Sequence, residues 1–370
     1  FAVFGGGYGE NTNVKLDTHV AIHMEDYKGI ENKPDLVAGE DYKHFVSDYS
    51  AMDIIGGGYS GKVTGNSNVY VSGIFCRRIF GGGFYNTVNT TNIDIDMVDC
   101  HDIFGGGLMG DVLNTTNIKV GNNGTDANNN ADIYIHGNIY GGNDVSGYVN
   151  IGLNEAGEFT DLKGEGTKIN IYGGHIDGNV YGAGNGDYLY ALDRKGNEKV
   201  TVNEHYLLKP DDPSSEQFDL VYTVPMRETM PSYKSASDAA KIVNINSWRP
   251  LTNKVNINIK GNNKSDRVTI NGDVYGGGNS ATVLKVYSSD GTGTVGSVNI
   301  NIGSHVNIGR VFMGCNGDAL FTASEDNAFM TNFRKLNGDF NQENGDLDLG
   351  KSIDWLTDPS NKGISTLYLP

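Results

Sequence analysis

The chain is short of cysteine and of basic residues, and each shortage excludes a class of protein. Three cysteines among 370 residues cannot supply a disulfide scaffold. Only 28 lysines and arginines stand against 45 aspartates and glutamates, which gives a formal net charge of −17. Too few cations are therefore present to neutralise the phosphates of a nucleic acid. The same charge argues against docking on anionic lipid.

Long apolar runs and prolines inside apolar runs are also missing. No stretch reaches the roughly 20 apolar residues that a transmembrane helix needs, so this segment is not expected to insert directly into a membrane. The eight prolines avoid the alternating runs described below, as expected where each backbone N–H must join a ladder. With 38% hydrophobic and 20% charged residues, the chain is expected to fold around a core.

Glycine, by contrast, is abundant and recurs in one short phrase. The 52 glycines have no three-residue period, which excludes collagen. From Gly56 to Gly81 is 25 residues and from Gly81 to Gly105 is 24. An aromatic or aliphatic residue precedes the first position of each phrase, which is glycine except for Met313 in the last one: Phe4, Ile55, Phe80, Phe104, Tyr140, Tyr181, Tyr275 and Phe312.

Alternating runs lie between these glycine phrases, as in Val255-Asn256-Ile257-Asn258-Ile259 and Val298-Asn299-Ile300-Asn301-Ile302. Apolar residues at every second position indicate strands with one buried face. A second short strand precedes each phrase, as in Asp273-Val274-Tyr275. A unit of about 24 residues cannot bury its apolar face alone, but it can when stacked on copies of itself.

The sequence therefore predicts an all-β fold, a right-handed parallel β-helix (a solenoid) with coils of about 24 residues. Valine and isoleucine would stack inside, and asparagine and aspartate would line the outer faces. The glycines would supply either corners with positive φ or a flat backbone where no side chain fits. A propeller needs about 40 residues per blade, and a sandwich does not explain identical phrases at one-coil spacing.

Insertions interrupt the predicted coils, which extend over residues 1–317. They are expected at about 15–50, 121–131 and 188–252, and the last of these carries five of the eight prolines. Residues 318–370 are expected to be a further insertion or a cap. In the first case the chain would continue into another coil after them. The chain starts without methionine and stops inside the pattern, so both ends are expected to continue in a longer protein.

The recurring Val-Tyr-Gly-Gly-Gly-Asn phrase, with its Val-Asn-Ile-Asn-Ile strands, resembles the right-handed β-helix regions of large bacterial cell-surface proteins. These proteins are described as adhesin-like and are common in gut Bacteroidetes. The resemblance covers roughly residues 1–14, 51–187 and 253–317. It implies an extracellular or cell-surface location, and it carries no catalytic signature that could be transferred to this chain.

Catalysis has little support in the sequence, and the interpretation leans towards a protein that is not an enzyme. Pectinolytic hydrolases of this architecture carry paired aspartates and a Gly-His-Gly, whereas the only Asp-Asp here, Asp211-Asp212, lies in an insertion. The histidines are scattered. Glycoside hydrolysis needs two carboxylates flanking one bond. One stretch of the chain could supply such a pair. The alternative is that its aspartates are solvated residues on the outer face. These aspartates are Asp94, Asp96, Asp99, Asp102 and Asp111.

No cofactor is predicted, and calcium is the metal that an acidic chain with oxygen ligands would bind. The run Gly182-Ala183-Gly184-Asn185-Gly186-Asp187 is similar to the calcium-binding nonapeptide repeat, but it departs from that repeat at two positions. A corner turn is the preferred interpretation of this run. Asp126 and Asp132 are equally weak candidates for calcium ligands.

Cys76 and Cys100 each lie five residues before a Gly-Gly-Gly, and they are 24 residues apart. They are therefore expected on neighbouring rungs, about 4.8 Å apart and within disulfide range. A disulfide or a pair of reduced thiols would satisfy this spacing. The equivalent position in other units holds His136, Asp177 or Asn271, which indicates a corner and not the deep core.

Two sets of aromatic residues are candidates for binding sugar rings. The residues before the glycines could form a sugar-binding strip, although a structural ladder is preferred for them. The residues just after the glycines, Tyr8, Tyr59 and Phe84, are better candidates for an exposed strip. Protruding loops often carry recognition, so the long insertion contributes further candidates: Tyr188, Tyr190, Tyr206, Tyr222, Tyr233 and Trp248.

Three classes of function remain open. The favoured one is a non-catalytic, adhesin-like surface solenoid whose loops bind a partner or host protein or a glycan. The second is a polysaccharide-binding solenoid or a polysaccharide lyase or hydrolase. The third is a segment of a phage or secretion-system fibre, for which trimeric assembly would be expected.

Overall fold

The computed structural model describes residues 2–23, 52–124, 130–155, 158–187 and 249–316, and the backbone of four further strands at 189–191, 203–208, 218–224 and 364–368. Nearly all of the regular secondary structure in these ranges is β-strand. The single helical segment among the described residues is a 3-10 turn at Asn130–Asp132. The prediction of an all-β chain is confirmed.

The strands follow one another in chain order, and most are short. The first half of the chain contains β1 (Ala2–Phe4), β2 (Thr18–His23), β3 (Asp53–Ile55), β4 (Ser67–Phe80), β5 (Thr91–Phe104), β6 (Thr115–Val120), β7 (Ile133–Ile135), β8 (Ile139–Tyr140), β9 (Tyr148–Val149), β10 (Ile151–Leu153), β11 (Phe159–Asp161), β12 (Gly166–Ile171), β13 (Gly174–Ile176) and β14 (Val180–Tyr181). The second half contains β15 (Leu189–Ala191), β16 (Asn203–Leu208), β17 (Phe218–Val224), β18 (Leu251–Thr252), β19 (Lys254–Ile259), β20 (Val268–Ile270), β21 (Val274–Tyr275), β22 (Thr282–Val283), β23 (Val286–Tyr287), β24 (Thr294–Val295), β25 (Ser297–Ile302), β26 (Val306–Ile308), β27 (Val311–Phe312) and β28 (Ile364–Tyr368).

Eighteen of the strands form one large sheet, and its pairings are parallel. The long alternating strands pair in register one after another, for example β12 with β19 and β19 with β25. The short strands that follow them pair in the same order, β7 with β13, β13 with β20 and β20 with β26. The strands before the glycine phrases do likewise, β8 with β14, β14 with β21 and β21 with β27. Each unit of sequence therefore adds one strand to each of three parallel runs.

The core follows from the alternation within the long strands. In β19, Val255, Ile257 and Ile259 are at most 1% exposed, whereas Asn256 and Asn258 between them are only half-buried. One continuous cluster of valines and isoleucines extends from Val20 to Ile300. On the outside, asparagine side chains bond to the asparagine at the same position of the next strand, as Asn301 does to Asn258 at 2.7 Å.

The glycine phrases are needed because successive phrases lie against each other. A Cβ on Gly57 would lie 2.6 Å from the backbone nitrogen of Gly83, and one on Gly82 would lie 2.7 Å from that of Gly107. Of the two roles predicted for the phrases, the flat backbone is the correct one. Positive φ occurs at other glycines of the described chain, such as Gly73 and Gly147, and not within the phrases.

A hydroxyl group near the start of a long strand bonds to the first glycine of five of the phrases. Ser67 donates to the carbonyl of Gly81 at 2.6 Å, and Thr167 donates to that of Gly182 at 2.6 Å. The same bond recurs from Thr18 to Gly56, Thr91 to Gly105 and Thr116 to Gly141, at 2.5–2.7 Å. These hydroxyls are buried, so each bond also satisfies a polar group that would otherwise be costly to bury.

The predicted insertions are covered only in part by the described residues. The strand β2 lies inside the range 15–50 and yet belongs to the parallel sheet, where it pairs with β4. Residues 24–51, 125–129, 192–202 and 225–248 lie outside the described residues. Within the range 318–370, the backbone of β28 pairs in parallel with β25.

A smaller cluster of Tyr148, Ile151, Phe159, Leu251 and Val286 packs beside the main sheet. At its edge the buried carboxylate of Asp161 accepts hydrogen bonds from Asn150 and Asn253, both at 2.8 Å, and from Lys254 at 2.9 Å. Burial by itself would raise the pKa of Asp161, but the bonds from Lys254 and Asn253 outweigh it, and the pKa lies below its ordinary value. The network connects residues that lie far apart in the sequence by hydrogen bonds to one carboxylate.

Candidate functional site

The middle strands of the units bring a set of histidines, aspartates and a tyrosine to one outer face. Asp99 of β5 lies opposite Tyr134 of β7, and Tyr134 lies opposite His175 of β13. Two positions further along each strand, where the alternation again points outwards, are His136 and Asp177. We call the set Asp99, Tyr134, His136, His175, Asp177 and Asn271 the histidine face.

Asp177 is the centre of this face. Its carboxylate accepts hydrogen bonds from His175 Nε2 and from Asn271 Nδ2, both at 2.9 Å. The Tyr134 hydroxyl also bonds to it, and His136 Nδ1 lies 3.5 Å away. These donors come from three successive units of the sequence, so only the stacking of the strands brings them together.

His136 lies between two carboxylates and is almost buried. Its Nε2 is 2.9 Å from Asp99 Oδ1, and its Nδ1 faces Asp177 at 3.5 Å. The side chains of His136 and Asp99 are only 8% and 6% exposed. The imidazole of His136 therefore has a hydrogen-bonding contact to Asp99 and a longer contact to Asp177.

His175 is held in one orientation and is open to solvent. Its side chain is 33% exposed. Its Nε2 lies 2.9 Å from the acceptor Asp177 Oδ1 and 3.2 Å from the donor Asn271 Nδ2, and these two neighbours favour opposite tautomers of a neutral imidazole. Among the described residues no group donates a hydrogen bond to His175 Nδ1. His175 is thus a partly exposed imidazole whose Nε2 contacts both a carboxylate and an amide.

Tyr134 stacks on both histidines and keeps its proton. Its ring centroid is 4.2 Å from that of His136 and 4.7 Å from that of His175. Burial, followed by the charge of Asp177, raises the pKa of Tyr134 to about 12. The phenol is therefore protonated at neutral pH, and its hydrogen bond goes to Asp177.

Charged residues continue the face towards the N-terminal strands. Arg77 bonds to Asp53 through Nε at 2.9 Å, and Arg78 bonds to the same carboxylate through Nη2 at 2.7 Å. Burial alone would raise the pKa of Asp53, but the two guanidinium groups lower it below its ordinary value. One unit further along, His101 Nδ1 is 2.7 Å from Asp102. The side chains of Arg77 and His101 are 46% and 41% exposed.

The structure brings the three predicted strip residues together. The rings of Tyr8 and Tyr59 stack at 4.7 Å and those of Tyr59 and Phe84 at 5.1 Å. Because the rings stack on one another, the face of Tyr59 is covered on both sides. Tyr8, at 74% exposure, is the most exposed of the three rings. Binding by these residues stays a prediction, and Tyr8 is where it would occur.

The aromatic residues before the glycines form a buried ladder. Phe80, Phe104 and Tyr140 stack at 4.8 Å in turn, and these three side chains are at most 4% exposed. Tyr181, Tyr275 and Phe312 continue the stack at 5.0 Å. Burial raises the pKa of Tyr140 far above its ordinary value. These faces are closed to a ligand along most of the ladder.

The candidates from the long insertion lie outside the residues whose side chains are described. They are Tyr188, Tyr190, Tyr206, Tyr222, Tyr233 and Trp248.

The cysteines stack as predicted but in a different environment. Cys76 and Cys100 are register partners, and they are 1% and 0% exposed. Both are free thiols here. The interpretation of this position as a corner was wrong, because Cys100 pairs with Ile135 and not with His136. The later units have one more residue between this core position and the glycine phrase. Counting the same five residues back from the glycines therefore reaches the outward-facing residue next to the core position.

The five carboxylates proposed for hydrolysis do not act as one group. Asp94 pairs with Lys119 and Asp96 accepts from Tyr70, whereas Asp111 accepts from the backbone of Tyr148. Asp99 and Asp102 each lie beside a histidine. In the described ranges no three histidine, cysteine or acidic side chains are arranged to hold a metal ion. In the run proposed as a calcium loop, Asn185 bridges to Asn279, as a corner would.

Sequence reasoning did not find the histidine face. One signal in the sequence could have indicated it. The spacings between His101, His136 and His175 are 35 and 39 residues, close to the spacing of the glycine phrases in that stretch.

No protein-family model matches the chain, and neither a curated protein nor a solved structure matches it. None of the described residues forms a helix long and apolar enough to cross a membrane.

Proposed function

We propose that the chain is a right-handed parallel β-helix from an adhesin-like, extracellular or cell-surface protein, and that its histidine face binds a glycan. The in-register parallel pairing of successive units around one valine and isoleucine core supports the β-helix. Its hand rests on the general rule that parallel crossover connections are right-handed. A surface location rests on the resemblance of the glycine phrases and alternating strands to bacterial surface proteins.

The observation that carries the binding proposal is the convergence on Asp177. A carboxylate, an amide, an imidazole and a phenol lie within hydrogen-bonding distance of one another on a partly exposed surface. These groups are the donors and acceptors that match sugar hydroxyls. A purely structural polar ladder would not need the open nitrogen of His175, because the asparagine ladders elsewhere on the chain satisfy themselves.

A glycan array probed with the whole chain tests this proposal. We expect binding to one class of oligosaccharide. In Asp177→Asn the affinity should fall about tenfold or more, which corresponds to a loss of about 1.4 kcal/mol or more of binding free energy. Asn301→Ala, on the outer face of another strand, is the matched control and should bind normally. Binding of a partner protein with no glycan bound, or equal binding by both variants, would contradict the proposal.

Polysaccharide cleavage is the second candidate function. The carboxylate of Asp177 orients His175, and an oriented imidazole is a typical general base.

A further inference from the structure

The last long range of described residues differs in charge from the rest of the chain. Residues 249–316 contain seven lysines and arginines against three aspartates and no glutamate, a net charge of +4, in a chain whose total is −17. Such a separation of charge within one chain is typical of a surface that meets a charged partner. The excess of cations here therefore needs either a structural reason or a binding reason.

Two of these cations are used within the protein. Lys254 pairs with Asp161, and Arg310 pairs with Asp273. Three others, close together in sequence, have no carboxylate within ion-pair distance among the described residues, and all three are exposed: Lys260, Lys264 and Arg267.

The guanidinium of Arg267 is largely unused. Its Nε donates to the carbonyl of Lys264 at 3.2 Å, and its two terminal nitrogens have no partner in the described part of the chain. The neighbouring Asp266 has partners of its own, since its carboxylate accepts from Asn130 at 3.0 Å and from Asn262 at 2.7 Å. A pair of parallel N–H donors is therefore left for a group outside the protein.

Two glycines bring these side chains together. The segment after β19 packs against the turn after β25, where a Cβ on Gly261 would lie 3.0 Å from Arg267 Cα and 3.0 Å from His305 Cβ. A Cβ on Gly303 would lie 2.9 Å from Lys260 Cγ. Basic residues from two successive units of the sequence thus meet at one place. We call Lys260, Lys264, Arg267 and His305 the basic cluster.

The basic cluster borders the histidine face. Arg267 directly precedes β20 and lies two residues before Thr269, so the alternation of the chain points both side chains outwards. Thr269 is the register partner of His175. Since neighbouring strands lie about 4.8 Å apart, a ligand on the histidine face reaches the basic cluster by crossing one strand.

We propose that the glycan on the histidine face carries an acidic sugar, and that the basic cluster binds the carboxylate or sulfate group of that sugar. This inference rests on the proposed glycan-binding role of the histidine face and names the class of glycan. The two terminal nitrogens of Arg267 match two oxygens of such a group as a fork. Lys260 and Lys264 add positive charge beside it.

The ligand inferred here is a largely neutral glycan with one anionic group, and not a polyanion. Outside residues 249–316 the chain is more negative than its total of −17, and this charge repels a densely charged polymer. A single anionic group beside three cations is affected much less, because charges beyond the Debye length of about 8 Å are largely screened at physiological ionic strength.

The test compares the binding of matched oligosaccharides to the whole chain. One carries a single terminal sialic acid, which supplies a carboxylate, a second carries a single sulfated sugar, and the third is their neutral parent. We expect one of the charged forms to bind about tenfold or more tightly than the parent, since charge-assisted hydrogen bonds are stronger than neutral ones. This preference should decrease between about 50 and 500 mM salt, where the Debye length shortens.

Two variants of the basic cluster locate the effect. Arg267→Gln removes the charge and the fork, and it should bind the charged form about as weakly as the neutral parent. Lys264→Gln should show a smaller loss of the same kind. Lys62→Gln, an exposed lysine elsewhere on the chain, is the matched control and should keep the full preference. Binding of the neutral parent should be the same in all three variants.

Four outcomes would overturn this inference. Equal affinity for charged and neutral forms, or a preference that is unchanged in both cluster variants, would do so while leaving the glycan binding tested by Asp177→Asn intact. Strongest binding to a densely charged polymer such as heparin would contradict the single anionic group. Self-association without glycan that is lost in Arg267→Gln would show that the cluster meets an acidic surface of a second copy. Absence of binding to any oligosaccharide, charged or neutral, would remove the proposed function as well.

Discussion

Cys76 and Cys100 lie directly opposite each other on neighbouring parallel strands, and both are buried in the main core. Burial, followed by the hydrogen bond with Cys76, raises the pKa of Cys100 well above its ordinary value. Since the thiolate is the reactive form, the folded pair should resist oxidation even though the strand spacing of about 4.8 Å is within disulfide range.

The cysteine pair should therefore oxidise during folding and not after it. Refolding in a glutathione redox buffer is expected to give a Cys76–Cys100 disulfide, visible as the loss of two hydrogens in the intact mass and as a linked peptide. The same buffer added to folded protein should leave both thiols free. Cys100→Ala is the control, and rapid cross-linking of the folded protein would contradict the prediction.

Asp99 and Asp94 lie on the same strand, but their environments differ. The side chain of Asp99 is 6% exposed against His136, whereas that of Asp94 is 45% exposed in a surface pair with Lys119. Asp99→Asn keeps the size and removes the charge that faces the imidazole. It should lower the free energy of unfolding by about 1–3 kcal/mol, measured by urea denaturation.

Asp94→Asn should change the free energy of unfolding by less than about 0.5 kcal/mol, since exposed ion pairs contribute little. Equal effects of the two substitutions would show that the contact between Asp99 and His136 has no special stability.

The buried network around Asp161 should make stability fall in acid. Its pKa is lowered from its ordinary value of 3.8, so its contribution is fully present above that value and is lost as pH falls through the lower pKa of the folded state. Lys254→Met removes one cause of the lowered pKa, and the variant should lose less stability between neutral pH and the pH range below 3.8.

Thermal melting over this pH range measures the acid effect, with Lys260→Met, an exposed lysine directly after β19, as the control. An acid dependence identical in Lys254→Met and wild type would mean that the Lys254 bond does not lower the pKa of Asp161.

The glycine phrases should tolerate no side chain. A Cβ on Gly82 would lie 2.7 Å from the backbone nitrogen of Gly107, whereas one on Gly293 has nothing within 4 Å. Gly82→Ala should destabilise the chain by an amount on the order of 3 kcal/mol, and Gly293→Ala should change stability little. Chemical denaturation of the two variants makes the comparison, and a stable Gly82→Ala would mean that the phrases can separate without cost.

The candidate site was only partly predictable. Equal spacing from the glycines placed Cys76 beside Cys100, because both strands carry the same number of residues up to their glycine phrase. The same count failed for His136, since one more residue lies between Ile135 and Gly141 than between Cys100 and Gly105. One extra residue exchanges the inward and outward positions of a strand, so the histidine face could not be recognised by counting.

The sequence by itself determined the all-β character, the unit of about 24 residues and the residues that face the core, because alternation and the glycine phrases are local properties of the chain. Only the tertiary structure decided which side chains meet across units separated by insertions of different length. Tyr134, His175 and Asp177 are such a case, since their contacts depend on the register between strands, and register is set by packing over the whole stack.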